Sequence, residues 1–249
     1  MALKKEIGIL VLMSAVLFSG CGSDRGSGST QGASESPSNQ VTAQPEQETH
    51  AKLIEASENE KVKLYAIKET KNVIEGVTLD IDGSQKDFDW EIADTGTKPQ
   101  VFYTDLTGDG KEEAVITINT GRGTDLNTYD IHVINAGDLS EIKVQNYKET
   151  VADQIETHVT KNEDGNLAIK VKAQGKYYEF SYAADPGLEV QDKLNFGGTV
   201  IYELENQKII SRIGGSVGTS PIYVCGFHIT YKFDSSKNEF IADQIKVEP

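Results

Sequence analysis

Positive charge, thiols and helical periodicity are all in short supply in this chain, and each shortage closes off a class of function. Its 249 residues hold 24 Lys and Arg against 39 Asp and Glu, a formal net charge of −15. Such a balance leaves no basic face for nucleic acid and no electrostatic pull toward anionic lipid. It favours solubility and attracts cations. The four histidines, His50, His132, His158 and His228, form no H-x-H or H-E-x-x-H pair, and the two cysteines, Cys21 and Cys225, stand far apart in sequence. A zinc site is therefore not expected. The 37% hydrophobic content is low, because a polar N-terminal part dilutes it. The remainder is long enough to bury one sizeable core.

Long apolar runs are also lacking. The longest covers residues 7–18 behind Lys4 and Lys5, short of the roughly 20 residues that span a bilayer but suited to a secretory signal. It runs into Phe18-Ser19-Gly20-Cys21. This resembles a bacterial lipobox, with Phe18 standing where an aliphatic residue is usual. The resemblance implies a lipoprotein signal peptide over 1–20, a lipid on Cys21 and a place on the outer face of the cell membrane, held by that anchor. Residues 21–50 then read as the lipidated Cys and a disordered tether of Gly, Ser, Pro and Gln. Its reach is on the order of 30 Å. Residues 52–61 fit either a short helix or more tether. The span 51–249 reads as a single β-rich domain.

The stretch around which that domain is organised is VFYTDLTGDGKEEAVITIN, residues 101–119. Two apolar runs flank a loop of carboxylates and glycine. Asp105, Thr107, Asp109, Lys111 and Glu113 occupy loop positions 1, 3, 5, 7 and 9. Hard divalent cations need several oxygens about one point, and alternate positions of a curled loop supply them, Lys111 through its backbone carbonyl. Position 12, where an EF-hand carries a bidentate Glu, is Ile116. The flanks alternate with the period of strands. Such a strand–acidic loop–strand unit resembles the calcium loops of VCBS and integrin FG-GAP repeats, Thr107 replacing the usual Asp or Asn. The resemblance implies calcium held weakly, near ~10⁻⁴ to 10⁻³ M as in extracellular modules. Thr-Gly-Asp-Gly is equally good chemistry for a hairpin turn that holds no ion.

Two-residue alternation recurs from Val62 onward. Val77, Leu79 and Ile81 face Phe88, Trp90 and Ile92 across a turn at Gly83-Ser84, with Asp87, Asp89 and Glu91 on the solvated side. Tyr129, Ile131 and Val133 mark another strand. Further hairpins are expected over 167–182, 200–213 and 223–247. A four-residue spacing of Tyr147, Val151, Ile155 and Val159 predicts a helix over 148–157. The fold class is mainly β: an antiparallel twisted sheet or sandwich built from hairpins, with one or two short helices. A partial propeller-like arrangement stays open, although no second loop repeats the acid spacing.

Two other motifs fail on context. Gly214, Ser216 and Gly218 match G-x-S-x-G, but Pro221 and an alternating strand follow in place of the helix a nucleophile elbow requires. A Gly-rich interstrand loop is the expectation. Gly121 and Gly123 lack the third glycine of a dinucleotide fingerprint. Their loop is expected to face the Asp105 loop across the intervening strand, with Asp125 as a further ligand. Cys225 shares an alternating face with Tyr223, Phe227, Ile229 and Tyr231, so it should be an inert core thiol.

Together with GRGT and the run Tyr129-Asp130-Ile131-His132-Val133, the whole pattern resembles VCBS-type lipoproteins of Gram-positive, spore-forming bacteria. That resemblance implies no particular activity. The expectation is a surface-anchored, non-enzymatic binding or structural module stabilised by calcium, whose partner is an extracytoplasmic protein or polymer. The alternative is a hydrolase of cell-wall or extracellular polymers. A pocket of convergent polar groups away from the loop separates the two.

Overall fold

The computed structural model describes residues 52–249. The signal segment expected over 1–20, Cys21 and the tether expected over 21–50 lie outside the described residues. The described chain is mainly β, as its alternation requires, and it forms three sheets.

The first sheet is antiparallel, in the order β1 (Leu53–Ala56), β2 (Val62–Glu69), β3 (Val73–Ile81) and β4 (Ser84–Ala93). Residues 52–61 are thus neither helix nor tether: β1 gains its backbone partners from β2, with Leu53 opposite Tyr65 and Ala56 opposite Lys63. The β3–β4 hairpin falls one residue earlier than expected, turning at Asp82-Gly83 with Ile81 opposite Ser84. Val77, Leu79, Ile81, Trp90 and Ile92 are buried, while Asp87, Asp89 and Glu91 face solvent.

Next come β5 (Gln100–Thr104), β6 (Glu113–Arg122), β7 (Asn127–Asn135) and β8 (Glu141–Val144). Helix α1 (Tyr147–Gln154) follows, and then a three-stranded sheet of β9 (Ile155–Lys161), β10 (Leu167–Ala173) and β11 (Lys176–Tyr182), ordered β11-β10-β9. The chain ends in β12 (Thr199–Glu205), β13 (Lys208–Val217), β14 (Ile222–Asp234) and β15 (Glu239–Glu248). The large sheet has the order β12-β13-β14-β15-β8-β7-β6-β5. Two short parallel pairings join its sequence-distant parts: Glu239–Phe240 with Lys143–Val144, and Thr199–Val200 with Asn127–Thr128. The second closes the strands from β12 to β7 into a ring. The hairpins thus build two open antiparallel sheets and one larger sheet with this ring-closing pairing.

The helix is shorter than its spacing predicted. Asn146 caps it, Oδ1 accepting from Glu149 N at 3.0 Å, and it ends at Gln154. Val151, Ile155 and Val159 are also spaced evenly enough for a strand. Ile155 and Val159 settle opposite Ala173 and Ile169 on β10, where burial against the core outweighs weak helical propensity.

Strand β6 lies between two cores. Ala114, Ile116 and Ile118 pack with Leu64, Leu79 and Trp90 of the first sheet. Val115, on its other face, joins the second core with Leu167, Ile169, Phe227 and Ile229. Every residue from Glu113 to Asn119 is consequently buried, including the face of Thr117 and Asn119 that an isolated hairpin would leave wet.

Candidate functional site

The register of β5 and β6 places Thr104 opposite Glu113, so residues 105–112 form their connection. Asp105 curls it: Oδ1 accepts from Gly108 N at 2.7 Å and Oδ2 from Gly110 N at 2.9 Å. Gly108 and Gly110 have φ of +76° and +84°, the left-handed region that suits glycine. A Cβ at either position meets nothing within 4 Å, so they serve backbone conformation, not space. Asp109 Oδ1 accepts from Lys111 N at 2.9 Å, and both residues are exposed on the outer turn.

Glu113 differs from the other acids of the loop. It opens a doubly buried strand and is 1% exposed. Its Oε2 accepts from Leu106 N at 2.9 Å and Thr107 N at 3.3 Å. Its Oε1, and Thr107 Oγ1, are buried with no hydrogen-bond partner. Burial pushes the Glu113 carboxyl above its usual range; the two N–H groups oppose this, and the charges of Asp105 and Asp109 push it further up. Orphaned buried oxygens are rare and costly, and each points to an explanation such as a water or an ion.

The donor set is all oxygen, which fits a hard cation and not a soft one. Asp105, Thr107 and Glu113 share one hydrogen-bonded frame; Asp109 and Lys111 stand at its outer edge. Among the described residues no three His, Cys, Asp or Glu side chains already form a metal-holding cluster. The reason is visible in the hydrogen bonds, since Asp105 and Asp109 are turned onto their own loop N–H groups. A cavity of about 270 Å³ adjoins the loop at Leu106 and Thr107. Its far wall carries the Lys232–Asp243 ion pair, 2.7 Å across.

Asp125 is not part of this site. The 123–126 loop follows the opposite end of β6, ten residues from Glu113 to Arg122, about 30 Å at ~3.3 Å per residue. There the Asp125 carbonyl accepts from Tyr223 Oη at 2.7 Å. Ser216 is not a nucleophile on an elbow either. It belongs to strand β13 and not to a loop, is 4% exposed, and donates to Asn195 O at 3.4 Å.

His132 joins the first sheet to β7. Its ring stacks on Trp90 at 4.0 Å, and its Nδ1 lies 2.7 Å from Glu141 Oε1. Phe88 covers the other face of Trp90 at 4.3 Å. Beside this stack is a cavity of about 320 Å³ with Glu91, Asp130 and Thr120 in its wall. Nothing in the local spacing signals this meeting of β4 with β7, nor the depth of Glu113. Both follow from how the first sheet lies on β6. Comparison of the chain with family models, with curated proteins and with solved structures finds no match.

Proposed function

We propose that this chain is an exported, lipid-anchored β module that binds or organises an extracytoplasmic protein or polymer, with no catalytic role of its own. In this reading a calcium ion sits weakly in the 105–113 loop and completes the fold. One observation carries the cation: Glu113 Oε1 and Thr107 Oγ1 are buried without partners inside a loop made of oxygen donors. Asp105, Thr107, Asp109 and Glu113 supply side-chain oxygens, and Lys111 its backbone carbonyl. Asp109 exchanges the Lys111 N–H for the ion. The spacing that resembles VCBS and FG-GAP loops supports the same assignment. The anchor rests on the sequence alone, on Lys4, Lys5, the apolar run and Ser19-Gly20-Cys21. Acidity of −15 disfavours nucleic acid as the partner.

A hydrolase would use carboxyls in the cavity beside Trp90. Glu91 and Asp130 are both exposed there, whereas a glycoside hydrolase sets two opposed carboxyls inside a cleft that holds the substrate. The module reading is therefore preferred.

The test is thermal unfolding in calcium, in magnesium and in EDTA, for the natural sequence and for Asp109→Ala. Calcium should raise the melting temperature of the first and not the second, and magnesium should do little because the loop suits the larger ion. Identical curves in calcium and EDTA would leave the loop a plain hairpin turn. Mass spectrometry of the protein from membranes should find Cys21 as a lipid-modified N-terminus; an unmodified Cys21 would remove the anchor.

A further inference from the structure

The outer strands of the three sheets are finished differently. β9 is covered, Val159 N donating to Asp192 O at 2.9 Å and Leu194 N to Thr157 Oγ1 at 3.1 Å. β5 lies beside β1 and β2. β4 is open but carries Lys86, Asp87, Asp89 and Glu91, charges that discourage another strand from pairing. β11 is covered by no other segment among the described residues and carries only Lys176 and Glu179 as charges. It pairs with β10 alone among the described residues and reads Lys-Tyr-Tyr-Glu-Phe-Ser-Tyr. Tyr177 is 79% exposed.

The hairpin geometry shows which backbone groups are free. Ala173 pairs with Lys176 around the two-residue turn Gln174-Gly175, and residues flanking such a turn exchange both hydrogen bonds. Alternation then turns the N–H and C=O groups of Lys176, Tyr178, Phe180 and Tyr182 toward β10. Those of Tyr177, Glu179 and Ser181 point outward, with no partner among the described residues. Tyr178, Phe180 and Tyr182 direct their side chains to the core-facing side.

We propose that β11 is a homodimerisation edge. Two copies pair their β11 strands antiparallel about a two-fold axis at Phe180. Glu179 then exchanges backbone hydrogen bonds with the partner's Ser181, and the reverse. On the core-facing side Tyr178 meets the partner's Tyr182, and Phe180 meets the partner's Phe180, a cross-strand aromatic row. Charge argues against the adjacent register. A two-fold at Glu179 would set two carboxylates directly opposite each other, which is destabilising; the Phe180 centre sets each against a serine. The self-complementary pattern is what commits the edge to a second copy over a foreign strand. The isologous contact closes, so no β11 edge remains for further growth.

Sedimentation velocity over a concentration series tests this, using the full chain with Cys21→Ser to prevent lipid attachment. The expected result is a reversible monomer–dimer equilibrium. Ser181→Pro removes an outward N–H that bonds nothing among the described residues, a position where an edge strand accepts proline. It should keep its melting temperature and weaken dimerisation at least about tenfold. In oxidising conditions Phe180→Cys should give a disulfide-linked dimer, because directly opposed Cβ atoms of that pair lie about 4.5–5.5 Å apart. Glu179→Cys should not. Cys225 is buried and does not compete. A monomer at every concentration, Ser181→Pro dimers as tight as the parent, or cross-linking at Glu179→Cys in place of Phe180→Cys would overturn the proposal. So would a monomer that captures an unrelated extended peptide along β11.

Discussion

Glu113 is a carboxylate placed where its charge is expensive, and this makes it the most informative single residue of the loop. Burial raises its pKa in the folded state above the unfolded value. Across that interval the folded protein binds more protons than the unfolded one, so stability falls as pH rises from the ordinary glutamate value of about 4.3 upward. Above the raised pKa the penalty is constant. A cation in the loop compensates the charge and should flatten the slope. Melting temperatures measured from pH 4 to 7 in EDTA should therefore decline with a component that calcium removes. Glu113→Gln keeps an acceptor for Leu106 and Thr107 N–H but no charge; it should lose both that component and the calcium response. Cys225 is the opposite case, a residue made quiet by its surroundings. It is 8% exposed, and burial pushes its thiol up to about 12. Thiol reagent at neutral pH should leave it unlabelled in the native protein and label it fully in denaturant.

Strand β14 shows how one inserted residue changes an element. Simple alternation places Tyr223 beside Cys225, Phe227, Ile229 and Tyr231. The register against β13 shifts between Gly215 and Ser216, whose partners are Cys225 and Tyr223, leaving Val224 as the extra residue. Such a bulge reverses the faces beyond it. Cys225, Phe227, Ile229 and Tyr231 are buried as alternation demands. Tyr223 turns outward, lies over Gly214 and Gly198, and donates to Asp125 O at 2.7 Å. A Cβ on Gly214 would stand 2.6 Å from the Tyr223 ring. Gly214→Ala should cost about 1–3 kcal/mol by overpacking, and Tyr223→Phe about 1 kcal/mol through its hydrogen bond; chemical denaturation reads both. Of the two glycines that look like a hydrolase elbow, Gly214 has a packing task and Gly218 a backbone one, with φ of +84°.

For the whole molecule, the calcium proposal has a definite size. A site near ~10⁻⁴ M with calcium about tenfold higher stabilises the folded state by RT ln 11, about 1.4 kcal/mol. For a domain of this length the melting temperature should rise by roughly 3–6 °C. Asp105→Ala, Asp109→Ala and Glu113→Gln should each abolish the rise. Thr107→Ala should weaken it less, since no charge is lost. Lys111→Ala should leave it intact, because only a carbonyl is used there. High salt should reduce the response, because part of the attraction is the general field of an acidic chain.

The local elements of this protein were legible in its sequence because they depend on neighbours a few residues away. Alternating apolar residues set the strands, turn residues at Gln174-Gly175 and Asn206-Gln207 set their hairpins, and acid spacing picked out the 105–113 loop. The β3–β4 turn falls one residue earlier than the sequence predicts. What needed the tertiary structure was everything decided by distant partners. Leu53–Ala56 became a strand because β2 was there to pair with β1. The predicted helix stopped at Gln154 because Ile155 and Val159 found β10. β6 was buried on both sides by cores whose members come from both ends of the described chain. That double burial left Glu113 Oε1 closed off from bulk solvent with no hydrogen-bond partner, and it placed Asp125 at the wrong end of β6 to help. Spacing along the chain states which oxygens can converge; only packing decides which of them is deprived of water, and so where a cation has most to offer.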